Sequence, residues 1–256
     1  MAKKRSTATR RAESSAASER AAAIRKAQER TERRRRTLAV SAAVLVVLVV
    51  IGVIAYIASS SKDSTSGSAG APSGVVGSYG VPAGPSSAPV KVVVYEDFIC
   101  PFCGQFEAAS RTTFEKDITA GKVQFQYHVL NFLDRNSTTD YSLRSANALA
   151  VVLDTSGSTV AKTFHDLLFE NQPKEGGAGI SDSQLVDYAV QAGAAKSAVQ
   201  PGINDRTYQG WVKKVTDRAS KDGVTGTPTV VIDGKQVKAA STDGLVAAIQ
   251  SAVEKG

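Results

Sequence analysis

Cysteine is scarce in this chain: two among 256 residues, alongside two histidines, one methionine and one tryptophan. Two cysteines exclude a disulfide-rich scaffold. A Cys2His2 zinc site would need both histidines, His128 and His165, which lie in separate periodic segments and give it no support. Aromatic residues make up 6% of the chain and are missing from residues 1–37. That shortage matters because residues 1–37 hold 13 Lys/Arg against 4 Asp/Glu, a local +9 in a chain of formal charge +7. Everything beyond residue 37 therefore carries −2. A nucleic-acid site would need aromatics or a recognisable fold beside the charge, so no nucleic-acid partner is expected. Hydrophobic residues at 42% are too many for a wholly disordered chain.

Charge is absent altogether from Leu38 to Ala58 (LAVSAAVLVVLVVIGVIAYIA). At about 1.5 Å per residue this run spans roughly the 30 Å hydrocarbon core of a bilayer, which predicts a single transmembrane helix. Arg33 to Arg36 precede it, whereas Lys62 and Asp63 after it cancel. The positive-inside rule then keeps residues 1–37 in the cytoplasm as a basic tail and places the rest outside the cell membrane. A cleaved signal peptide ending near Ala58-Ser59-Ser60 is the competing reading, although its apolar region is usually only about 7–15 residues. The tail is Ala-rich with no core-forming face, and reads as a solvated topology signal or a helix lying on anionic lipid.

Residues 59–88 are dominated by Ser, Gly, Ala and Pro and read as a flexible tether with a reach of about 30 Å. Residues 89–256 are long enough to build a core. Val90 to Tyr95 (VKVVVY) predicts a buried strand and Pro101 to about Asp117 a helix. Lys122 to Leu130 alternates Val123, Phe125, Tyr127 and Val129 with polar residues, as a second strand does. Four helical stretches follow, Tyr141–Asp154, Thr159–Phe169, Ser181–Ala192 and Ile203–Lys221, forming an insertion over about 139–221. A hairpin of Pro228–Ile232 and Gln236–Ala239, turned at Asp233-Gly234, precedes a closing helix from Thr242 to Val253. The class is α/β.

Both cysteines fall at the junction of the first strand and helix, in Ile99-Cys100-Pro101-Phe102-Cys103. Pro101 suits the first helical turn. It places Cys100 at the helix N-terminus, where partial positive charge and free N–H groups stabilise a thiolate. Cys103 lies one turn further on the same side, within reach of a disulfide. Cys100 then reads as the nucleophile that forms a mixed disulfide and Cys103 as the resolving thiol. A structural disulfide is the main competitor, but so short a loop constrains the unfolded chain by only about 2 kcal/mol.

Tyr95-Glu96-Asp97-Phe98-Ile99-Cys100-Pro101-Phe102-Cys103, Phe164-His165-Asp166-Leu167-Leu168-Phe169-Glu170-Asn171-Gln172-Pro173 and Gly223-Val224-Thr225-Gly226-Thr227-Pro228-Thr229 resemble the DsbA-like branch of the thioredoxin superfamily, in particular its membrane-anchored bacterial thiol-disulfide oxidoreductases. The resemblance covers about Pro89 to Gly256 and implies a thioredoxin-like fold with a helical insertion. It implies a cis Thr227–Pro228 bond lying against Cys100, with the Thr227 backbone pairing an extended substrate and Pro228 removing an N–H from beside the sulfur. Pro101 and Phe102 would border the substrate. It further implies donation of disulfides to reduced exported proteins, no cofactor beyond the redox-active Cys100–Cys103 pair, and re-oxidation by a membrane quinone-linked thiol oxidase. A reductase or isomerase of the same fold, and a non-catalytic anchored chaperone, are the alternatives. Family members often place a buried acid six positions before the first cysteine. Here Val94 stands there, with Glu96 or Asp97 as substitutes or as solvated loop carboxylates. His165 reads as a helix-packing residue, and Trp211 as core or groove lining.

Overall fold

The computed structural model describes residues 70–256. The transmembrane helix expected over 38–58, the basic tail and residues 59–69 of the tether lie outside the described residues. Among the described residues no helix is long and apolar enough to cross a membrane.

Five strands, β1 (Val81–Ala83), β2 (Val90–Glu96), β3 (Val123–Val129), β4 (Thr229–Ile232) and β5 (Lys235–Gln236), form one sheet in the order β1-β3-β2-β4-β5. β2 and β3 are parallel, with Val92 opposite Phe125 and Val94 opposite Tyr127, and α1 (Pro101–Thr119) makes the crossover between them. β1 and β4 run antiparallel to their neighbours. In β2 the β-branched residues alternate: Val90, Val92, Val94 and Glu96 are buried, while Lys91, Val93 and Tyr95 are half-buried. The strand is thus packed hard on one face only, not on both as its near-continuous apolar run predicts.

The insertion is α2 (Tyr141–Glu170), α3 (Asp182–Gln191), α4 (Lys196–Asn204) and α5 (Gln209–Lys221), and α6 (Thr242–Lys255) closes the chain. Ser181 and Gln184 form a reciprocal capping box that starts α3. Leu149, Leu153, Phe164 and Leu168 of α2 join Leu185, Val199, Ile203 and Val212 in the core that continues from the sheet through Phe106, Phe114 and Phe125.

Three sequence expectations are corrected. β1 lies inside the stretch read as tether: Val81 and Ala83 are buried against β3, Ser73 N–H donates to Asp154 (2.9 Å), and Trp211 Nε1 donates to the Ser78 carbonyl (3.0 Å). A three-residue strand flanked by Gly80 and Gly84 shows no periodicity, so only tertiary contact reveals it. The separate helices expected over Tyr141–Asp154 and Thr159–Phe169 are borne out, since Gly157, at φ 81° and ψ 174°, leaves the helical conformation and breaks α2 into two helical parts. The helix expected over Ile203–Lys221 is two, since Ile203 belongs to α4 and Arg206 at φ 53° turns the chain before α5. The hairpin turns at Asp233-Gly234 as expected, both at positive φ, but its second strand is Lys235–Gln236 rather than Gln236–Ala239, with one further bond from Val237 N–H to the Val230 carbonyl (2.8 Å).

Candidate active site

β2 delivers the chain to a tight turn that starts α1. Asp97 fixes that turn: its carboxylate accepts from Ile99 N–H (3.1 Å), Leu133 N–H (3.0 Å) and the Ser142 hydroxyl (2.6 Å). Burial pushes Asp97 up to about 7 even against these three donors. A side chain so bound, with no exposed surface, is a structural clamp between β2, the loop after β3 and α2. Cys100 is the N-cap of α1, with Pro101 at N1, and makes no side-chain cap hydrogen bond. Its thiol donates instead to the Thr227 carbonyl at 3.3 Å, in the loop whose Thr227–Pro228 bond is cis. Four of the sequence-selected residues, Cys100, Cys103, Thr227 and Pro228, therefore meet. Pro101 and Phe102 stand outward beside them, Phe102 being 61% exposed, whereas Trp211 is core.

Both cysteines are free, and they are not equivalent. The Cys100 thiol is lowered to about 6: the Cys103 thiol donating to it is the largest cause, burial opposes, and the Thr227 side chain and the Cys103 and Phe102 N–H groups of the helix start add to the lowering. Cys103 has no exposed surface, and burial, with Cys100 and the Glu96 charge behind it, pushes its thiol well above the usual range. One sulfur is built to be a thiolate and the other to hold a proton.

The helical insertion braces the turn. Gln172, just past the end of α2, donates through Nε2 to the carbonyls of Cys100 (2.8 Å) and Phe98 (3.1 Å). Its amide lies over Gly104, where a Cβ would come within 2.2 Å of the Gln172 Oε1. That glycine admits the clamp.

Beneath Cys103 lies a set of buried charges that sequence spacing does not connect. Val94, six positions before Cys100, is an apolar core residue, while Glu96 at the end of β2 is fully buried and bonds His165 Nε2 of α2 through Oε1 at 2.5 Å. Neither Glu96 nor Asp97 is the solvated loop carboxylate allowed by the sequence. His165 is no mere packing residue, since its Nδ1 also meets Asp166 Oδ1 at 3.1 Å. Burial works against a charged imidazole, but the Glu96, Asp166 and Glu107 carboxylates outweigh it and raise His165 to about 10. Glu107 of α1, buried next to this pair, is pushed up to about 7 by burial. Both His165 and Gln172 fall inside the Phe164–Pro173 motif, the one signal that marked them. Beyond the sulfurs, on the β4–β5 side, an open groove of about 540 Å³ is lined by Pro228, Thr229, Val237 and Leu245 among others.

The comparisons agree with this geometry. The family model described as Thioredoxin matches residues 78–251. A solved structure of oxidised DsbA from Mycobacterium tuberculosis is 32% identical, covering 68% of this chain and 92% of that one with a TM-score of 0.58. Among curated proteins, the serine/threonine-protein kinase PknE of Mycobacterium tuberculosis is 30% identical over 165 residues, which is 62% of this chain but only 29% of the kinase. Disulfide bond formation protein D of Bacillus subtilis is 27% identical over 157 residues, 60% of this chain and 68% of that protein. The chain thus spans less than a third of the first of these curated relatives and about two thirds of the second. On its fold, its paired cysteines and these matches, the chain belongs to the thioredoxin family, in its DsbA-like branch.

Proposed function

We propose that this protein is an extracytoplasmic thiol-disulfide oxidoreductase, anchored through residues 38–58, that passes the Cys100–Cys103 disulfide to reduced cysteines of exported proteins. The observation that carries the reading is the asymmetry of the two sulfurs: a low-pKa Cys100 at the start of α1 beside Thr227, and a proton-holding Cys103 behind it. A substrate thiolate attacks Cys100 Sγ, a mixed disulfide forms, and Cys103 leaves. The second substrate thiol then attacks the substrate sulfur of that bridge, releasing a disulfide and leaving both protein cysteines reduced. Thr227 offers backbone for an extended substrate segment. Pro228 has no N–H to compete at the sulfur, and Phe102 with the groove beside Pro228 gives the segment apolar surface.

Donation is favoured over reduction because a disulfide persists outside the cytoplasm and because the stabilised thiolate favours the reduced enzyme. The stabilisation is finite: moving one thiol from 9.0 to about 6 raises the potential at pH 7 by at most about 30 mV. That covers part of the roughly 150 mV separating thioredoxin from strongly oxidising members. A quinone-linked membrane oxidase is the re-oxidant that fits the proposed location. The test is whether full-length protein oxidises a reduced exported substrate and whether Cys103→Ser traps a covalent complex through Cys100. Unchanged oxidation with both cysteines replaced by serine, or a potential near −270 mV, would overturn the donor reading.

A further inference from the structure

The first N–H groups of a helix have no intrahelical partner, and whatever backbone precedes the helix competes for them with the side chain at its N-cap. In α1 the Phe102 N–H would bond the Phe98 carbonyl if the helix ran one turn further back, because Phe98 lies four residues before it. That carbonyl is taken: it accepts from Gln172 Nε2 at 3.1 Å, and the same nitrogen donates to the Cys100 carbonyl at 2.8 Å. The Cys100 carbonyl also receives the first helical bond, from the Gly104 N–H at 3.1 Å. Left without that backbone acceptor, the Phe102 N–H acts with the Cys103 N–H on the Cys100 sulfur and helps to hold it ionised. A side-chain amide from the helical insertion thus stands where α1 would otherwise continue.

We propose that Gln172 is the positioning residue of Cys100: by occupying the Phe98 carbonyl and gripping the Cys100 carbonyl, it keeps the Phe102 and Cys103 N–H groups turned to the sulfur. The proposal rests on the thiol-disulfide reading and deepens it, because it makes the helical insertion a determinant of how the nucleophile is presented. Gln172 touches no reacting atom. It acts through the backbone of the turn, from a position 72 residues along the chain from Cys100.

The amide can stand only one way round. Two carbonyl oxygens need donors, which Nε2 supplies, whereas an amide oxygen in its place would face both as a third acceptor. Oε1 lies instead over Gly104, where a Cβ would strike it. Fixed neighbours deliver the side chain to this spot. Arg111 of α1 donates to the Asp166 carbonyl (3.2 Å) and pairs with Glu170, fastening the end of α2 to α1. The Gln172 N–H bonds the Phe169 carbonyl (3.3 Å) and Asn171 Nδ2 the Leu167 carbonyl (2.9 Å), closing α2 before Pro173 stops it. Thr227 meets the Cys100 sulfur directly at 3.3 Å, whereas Gln172 meets the backbone that carries it. The two contacts are therefore separable by mutation.

The measurement is thiolate absorbance near 240 nm against pH, in full-length protein whose Cys103→Ser substitution leaves Cys100 as the sole thiol. Gln172→Met keeps the side chain's length and removes both donated bonds. Cys100 should then titrate about 0.5–1 unit higher, and its thiolate fraction at pH 6 should fall from about one half to between about one quarter and one tenth. Gly104→Ala displaces the amide without altering it and should raise the midpoint by a similar amount. The double variant should titrate no higher than the larger single shift, because both substitutions act by one route. A merely structural clamp would lower the melting temperature and leave the midpoint where it was. A folded Gln172→Met or Gly104→Ala chain that titrates within about 0.2 units of its parent, or a double variant whose shift is the sum of the two, overturns the proposal. If the Cys103→Ser parent forms no mixed disulfide with oxidised glutathione, the thiol-disulfide reading fails, while the titration still decides the role of Gln172.

Discussion

The strongest single influence holding Cys100 ionised is the Cys103 thiol, which makes Cys103→Ala a sharp perturbation. A hydrogen bond to an ionised group contributes about 1.5–3 kcal/mol, equivalent to about 1–2 pKa units. Cys100 is only 4% exposed, yet it sits at the mouth of the site where water screens part of the effect, so the lower half of that range applies. Removing the donor should move Cys100 from about 6 to about 7–7.5, held there by the Phe102 N–H, the backbone N–H at position 103 and the Thr227 side chain. Cys103→Ser retains a donor of similar length and should leave the value within about half a unit of wild type. At pH 7 the thiolate fraction is then about 90% in wild type and about 25–50% in the alanine variant. The assay is the pH dependence of iodoacetamide alkylation, followed by thiolate absorbance near 240 nm in a chain whose sole remaining thiol is Cys100. An alanine variant that still titrates at about 6 would falsify the assignment and shift the credit to the helix start alone.

Gly104→Ala should destabilise the protein by about 1 kcal/mol, although alanine is the better helix former by about that amount, because its Cβ displaces Gln172 from the Cys100 and Phe98 carbonyls. A urea midpoint that rises would show that Gln172 restrains nothing. Trp211→Phe removes the indole bond to Ser78 and should cost about 1–2 kcal/mol while exposing residues 73–80 to limited proteolysis, with alkylation of Cys100 unaffected. The reduced and oxidised forms should also diverge with pH. Cys100 has a folded pKa below its unfolded value, so its contribution to the dithiol form is complete above about pH 9 and is lost as pH falls through about 6. Melting curves of the two forms should therefore show the reduced form gaining on the oxidised one from pH 6 to 9, and a constant gap would count against the lowered thiol.

What the sequence discloses about this molecule follows the range over which its signals act. Cys100, Pro101 and Cys103 announce a helix start because capping and dipole effects operate within one turn, and Asp233-Gly234 announces a hairpin because its backbone demands are met by those two residues alone. β1 stays hidden since Val81-Pro82-Ala83 becomes a strand only by bonding to β3, some forty residues away. The burial of Glu96 is hidden for the same reason with higher stakes. A glutamate after a strand reads as solvated until His165, 69 residues later, supplies a partner. The composition of that helix points to packing, and the aromatic shell of Phe98, Tyr127 and Phe169 does pack around the imidazole. It is this apolar shell that keeps water off the pair and forces two carboxyl groups and one imidazole to settle their protons among themselves. The apolar periodicity that concealed the charge cluster from the sequence is thus also what holds the cluster away from water.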